Sequence, residues 1–182
     1  MKYSYMSFST SALDLAGMLA VAQRYGYDGI EPRLDANHAH GIEVALSAPQ
    51  RAAIRAQVAA SGVTLACLAT SLSYADPAKT DAMRAQTRER IDLAGDLGVK
   101  AIRVFGGQIP AGVSREQAVD LLVSSLSAVA DQAARRGVTL CLETHDDWCD
   151  PKQVAEVLGR VNHPAIAANW DVMHPVRTKL AT

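Results

Sequence analysis

The chain has 182 residues, 49% of them hydrophobic, and eighteen basic against nineteen acidic side chains leave a formal charge of -1. That is the length of one domain with ample apolar content for a core, and the balanced charge offers no basic stripe of the kind nucleic acid requires. No stretch approaches the roughly 20 apolar residues of a membrane span or the apolar run of a signal peptide, and Cys67, Cys141 and Cys149 lack metal-type spacing, so free thiols in a cytoplasmic protein are expected.

A first strand is expected over 3–8, then a helix over about 12–25 whose Leu15, Met18, Leu19 and Ala22 form one apolar stripe before Gly26. The second strand, 28–32, brings Glu31 to its tip, either to line a site or to pair with Arg33. His38 and His40 in the following loop read as solvated rather than ligating. Ser47 through Gln50 forms a capping box for a helix over 48–61, and Gly62 leads into a strand over 63–69. Asp76-Pro77 opens a helix over 78–97 with a side-chain acceptor and a proline in the first turn. Gly98 leads into strand 99–105, and Gly106-Gly107 after it is too short a signal for a phosphate loop. Ser114 through Gln117 caps a helix over 115–136, and Gly137 leads into strand 138–143. Asp150-Pro151 opens the last helix, 151–160; His163 before Pro164 reads as structural, and the last strand covers 165–171.

Strict alternation of strand and crossover helix implies a parallel sheet, either doubly wound or a (β/α) barrel. No dinucleotide fingerprint or P-loop favours the first. Alternation places Glu143 with Cys141 and Thr139 on one face, and Val138, Leu140 and Leu142 on the other. In the last strand Asp171 aligns with Asn169 and Ala167, opposite Ile166, Ala168 and Trp170. Two carboxylates at adjacent strand tips, about 4.8 Å apart along the hydrogen-bonding direction, can share one cation. An imidazole follows each of them, His145 and His174.

Gly29-Ile30-Glu31, Arg103-Val104-Phe105-Gly106-Gly107, Leu142-Glu143-Thr144-His145-Asp146-Asp147 and Trp170-Asp171-Val172-Met173-His174-Pro175 together resemble the xylose isomerase-like TIM barrels, the sugar phosphate isomerases and epimerases. The resemblance implies an incomplete (β/α) TIM barrel of about six parallel strands with flanking helices, in a single partial domain over 1–182. It implies Glu143 and Asp171 as ligands of a divalent metal, Mn2+, Mg2+ or similar with Zn2+ possible. Glu143 would also be a catalytic acid/base, and His174, with His145 and Arg177, would bind substrate. The family completes its site with a His from a seventh strand and a Glu from an eighth, and the sequence ends at Thr182 before either.

The implied reaction is metal-assisted proton transfer next to the carbonyl of a sugar or sugar phosphate, expected to be weak in this chain alone. Six strands would leave two unpaired edges, so a homo-oligomer or a complementing fragment is the expected partner, without nucleic acid or membrane. Two rivals stand beside this reading. A related zinc-dependent abasic-site endonuclease shares the Glu and the Asp-x-x-His, but Ala69-Thr70-Ser71-Leu72 lacks the imidazole it needs. A non-catalytic remnant or assembly partner would keep the fold with a vestigial site.

Overall fold

The computed structural model describes residues 1–180. Seven strands run parallel: β1 (Ser4–Met6), β2 (Gly29–Glu31), β3 (Thr64–Leu65), β4 (Leu68–Ser73), β5 (Ala101–Phe105), β6 (Thr139–Glu143) and β7 (Ile166–Asn169). They pair in the orders β1-β2-β3 and β4-β5-β6-β7. The two sets are joined: Ala66 N donates to Ile30 O at 2.9 Å, Ala69 N to Pro32 O at 3.0 Å, and Leu34 N to Ala69 O at 2.9 Å. β3 and β4 are therefore two halves of one bent strand, and six barrel-type strands form one layer. The expected strand over 63–69 is thus broken at Ala66-Cys67 and prolonged to Ser73, where β5 offers a partner. The first strand is also shorter than expected, because Ser7–Thr10 turn into a 3-10 helix.

Five helices form the crossovers: α1 (Leu15–Tyr25), α2 (Ala48–Ser61), α3 (Thr80–Leu97), α4 (Arg115–Arg136) and α5 (Pro151–Val161). Their ends follow the sequence chemistry. Both capping boxes form, at Ser47 with Gln50 and at Ser114 with Gln117. Gly26, Gly62, Gly98 and Gly137 all adopt the left-handed backbone that ends each helix without a Cβ clash. The four α1 stripe residues are buried. Between helices and sheet lies a continuous apolar layer in which Ile91, Ile102, Val104, Leu122, Leu140 and Leu142 are fully enclosed. A short helix α6 (Met173–Arg177) follows β7.

The helix layer does not extend past β7. Trp170, expected on the covered face, is 58% exposed, with Ala168 below it and Val172 and Met173 beyond it also exposed. Among the described residues α5 packs on β7, where Ile166 is buried, but no helix covers Ala168 and Trp170, because α6 sits at the strand tip and is only five residues long.

Gly106-Gly107 has a packing role. A Cβ on Gly106 would lie 2.2 Å from the Trp148 ring, which is fully buried and donates Nε1–H to Gly107 O at 2.8 Å. Gly107 needs its positive φ of 83°. Gly106→Ala is expected to cost about 1–3 kcal/mol through overpacking. The check is a lower urea midpoint with an unchanged slope.

Candidate active site

Register brings the expected residues to one rim. Phe105 on β5, Glu143 on β6 and Asn169 on β7 are direct neighbours at the carboxyl ends of their strands. That is the end where parallel α/β sheets gather ligands. Glu143 is 6% exposed, while Thr139 and Cys141 on the same face are half-buried. Asp171 lies two residues beyond the last strand. Its position is fixed by Thr144, whose Oγ1 accepts from Asp171 N at 3.0 Å while Thr144 N donates to Asn169 O at 3.2 Å.

A buried charge holds Glu143. Arg103 Nη1 donates to Glu143 Oε2 at 3.0 Å, and Arg103 Nε lies 3.6 Å from Glu31 Oε1. Arg103 is 6% exposed, its Nε and Nη2 have no hydrogen-bond acceptor, and its guanidinium sits 4.5 Å from the centre of the Phe105 ring. Glu31 therefore faces Arg103, not Arg33, because both project to the inner side of the layer. Arg33 instead donates to Ser71 Oγ at 3.0 Å and lies over Phe8. Sequence reasoning passed over Arg103 as a site residue. Its signal was a lone charge at the centre of the apolar strand Ala101-Ile102-Arg103-Val104-Phe105.

Phe105 begins a row of rings. His145 lies 4.8 Å from it and His174 lies 4.3 Å from His145, centroid to centroid. Arg177 Nη2 donates to His174 Nδ1 at 3.0 Å, so Nδ1 carries the lone pair and Nε2 the hydrogen. That Nε2 is 3.6 Å from Asp171 Oδ2, too far for a hydrogen bond and free for another acceptor. Asp171 Oδ1 is taken by the backbone N–H groups of Met173 and His174, at 2.7 and 3.1 Å. His145 Nδ1 approaches Asp146 Oδ1 at 3.0 Å, without hydrogen-bond geometry.

The remaining histidines are structural. His40 is buried rather than solvated as expected, accepting from Ile42 N at Nδ1 and facing Arg33 O with Nε2 at 3.2 Å. His38 is bonded to the buried Ser7 hydroxyl at 2.8 Å, and His163 Nδ1 accepts from Ala165 N at 3.1 Å. The three thiols are free; Cys67 and Cys141 are only half-buried, because both line the inner face, and Cys149 is the buried one.

The donor set can be compared with a divalent cation. Glu143 keeps Oε1 and Asp171 keeps Oδ2 outside strong hydrogen bonds, and hard oxygen donors of this kind suit Mg2+ or Mn2+, which retain water and substrate ligands. Among the described residues, no three His, Cys, Asp or Glu side chains converge as a self-sufficient cage. The residues present fit a half-shell, one an ion would complete with other donors.

Burial raises the Glu31 carboxyl above its ordinary 4.5, while Arg103 pulls it down and Glu143 pushes it up. A raised folded value means the native state holds this proton more tightly than the unfolded chain does. The Glu31 contribution to stability therefore grows as pH falls through the raised value and levels off below the ordinary one. In urea unfolding at about pH 7 and about pH 4.5, the difference between wild type and Glu31→Gln is expected to shift in that sense. A pH-independent difference would contradict it.

A six-strand parallel layer with helices outside and a carboxylate–imidazole rim inside defines a (β/α)-barrel protein. The sequence matches the xylose isomerase-like TIM barrel family over residues 19–179, and the chain belongs to that family. It is 28% identical over 134 residues to the L-ribulose-5-phosphate 3-epimerase UlaE of Salmonella paratyphi B, a match covering 70% of this chain and 47% of that enzyme. The chain thus spans about half the length of the curated relatives it matches. A D-psicose 3-epimerase crystallised with D-fructose superposes with a TM-score of 0.80 at 18% identity, over 100% of this chain and 67% of that one. The IolI protein with a bound zinc atom gives a TM-score of 0.80 at 18% identity, over 96% and 64%. These two show a common fold. No helix among the described residues is long and apolar enough to cross a membrane.

Proposed function

We propose that this chain carries the Glu143–Asp171 half of a divalent-metal-dependent sugar isomerase or epimerase site in a cytoplasmic protein. The observation that carries the reading is Glu143 itself. It is a nearly inaccessible carboxylate at the tip of β6, one oxygen fixed by Arg103 and the other unengaged. Relatives named as epimerases make a sugar the natural substrate class.

A divalent cation held by Glu143 and Asp171 would polarise a substrate carbonyl and acidify the neighbouring C–H. With Oε1 on the ion, Glu143 would take that proton on Oε2, which keeps a second lone pair beside the one that accepts from Arg103. The His174 Nε2–H, its tautomer set by Arg177, orients a substrate oxygen. The His145 ring packs against His174 and limits how that imidazole can turn. Delivery of a proton to the opposite face by a second carboxylate across the substrate would epimerise the carbon, and return by Glu143 to the adjacent carbon would interconvert aldose and ketose.

Glu143 is the single carboxylate assigned to the transfer here, so turnover by the chain alone is expected to be weak. β1 and β7 each have one unpaired edge among the described residues, and the exposed Trp170 and Met173 flank the second. A second copy or a complementing fragment seated there would cover them. The test is exchange of carbon-bound hydrogen of a ketose into D2O, followed by proton NMR with Mg2+ and then with chelator. Chelator-sensitive exchange supports the reading. Its absence, even in assembled material, would favour a binding module with a vestigial site, as the lack of a three-ligand cage among the described residues also would.

A further inference from the structure

A groove of about 590 Å3 opens beside this rim, between the loops that follow β4 and β5. It meets the site at two residues. Phe105, the register neighbour of Glu143, forms part of its lining, and so does Asp146, whose carboxylate faces His145. On the far side Ser73 is the register neighbour of Phe105, so the groove begins one strand from the proposed acid/base.

Its lining has two characters. Phe105, Ile109 and Pro110 give apolar surface against which C–H groups can pack. Ser71, Ser73 and Gln108 offer groups that both donate and accept. The formally charged lining is two carboxylates, Asp76 and Asp146, against one ammonium, Lys79. Lys79 already pairs with Asp76 at 3.1 Å. The neighbouring arginines are bonded elsewhere: Arg33 to Ser71 Oγ, Arg177 to His174, Arg115 to Asp147 O at 2.8 Å, and Arg103, buried behind Phe105, to Glu143. A phosphate entering here would meet a lining with one more carboxylate than ammonium, and the nearby arginines, which keep their charge, are not part of that lining. Hydroxyl groups would find an acceptor in Asp146, since Asp76 already holds Lys79 and the Ala78 N–H.

On the sugar reading given above, we infer that this groove receives the uncharged, polyhydroxylated end of the substrate, so that the chain selects a free sugar over a sugar phosphate. This separates it in substrate class from the relatives named for L-ribulose 5-phosphate.

The test uses the 15N-labelled chain with D-fructose and D-fructose 6-phosphate as probes. Amide shifts of Ser73, Gln108 and Ile109 are expected with fructose, and the phosphate is expected to bind about tenfold more weakly or worse. Asp146→Asn should narrow that gap, and asparagine tolerates the left-handed backbone of this position, φ 50°. Equal or tighter binding of the phosphate, shifts confined to other surfaces, or no shifts with either sugar would overturn the inference. Groove shifts that persist without any hydrogen exchange would leave it standing and remove the catalytic reading alone.

Discussion

Replacing Arg103 with Met is expected to destabilise the fold by about 3–5 kcal/mol, the cost of stranding a buried charge. The side chains of Arg103 and Glu143 are 7% and 8% exposed and that of Glu31 is 20% exposed, so water cannot replace the lost guanidinium. Arg103→Lys keeps the charge but not the planar fork, and should fall between wild type and Arg103→Met. The decisive control removes the stranded charges as well. Arg103→Met combined with Glu31→Gln and Glu143→Gln should recover much of the loss, because an absent ion group costs less than a broken one. Urea unfolding of the set measures this. If the triple variant were as unstable as Arg103→Met alone, the effect would lie in packing against Phe105 rather than in charge.

Glu143→Gln is expected to lower hydrogen exchange at the substrate carbon by about 10²–10⁴-fold, the usual contribution of a positioned acid/base. An amide oxygen can still accept from Arg103 Nη1, so the fold should persist while the proton acceptor is lost. Retained sugar binding by the groove with lost exchange would place Glu143 in chemistry rather than in binding. An unchanged rate would move the proton transfer elsewhere, and Glu31, on the same guanidinium, is then the carboxylate to substitute next.

Much of the fold was legible because local chemistry writes it. The glycine after each helix adopts the backbone its position demands, and both hydroxyl–amide boxes form. Strand alternation was enough to turn Glu143 inward and Leu142 outward. What remained hidden depends on partners remote in sequence. Nothing in Ala66-Cys67 marks a bend; it arises where pairing passes from β2 to β5. Arg103 meets Glu143 across forty residues, and Gly106 is explained only by Trp148, which register and the following 3-10 turn bring against it. Trp170 reads as a core residue by its face, yet a face is buried only if some element covers it.

The placement of the candidate site was half legible. The two carboxylates and two imidazoles named from sequence do gather at the ends of β6 and β7, with Arg177 bonded to one imidazole. The engagement of Asp171 Oδ1 in capping α6 could not be read in advance, since an Asp followed by N–H groups suits a helix start and a metal ligand equally. This double use leaves Asp171 a single free oxygen.

Whether Glu143 and Asp171 grip the same ion is tested most directly by Mn2+ titration of the intact chain, read by electron paramagnetic resonance. One site is expected, weakened by about tenfold or more in Glu143→Gln and likewise in Asp171→Asn, with little added loss when both are changed. Affinity indifferent to either substitution, or losses that simply add as for two separate sites, would contradict it.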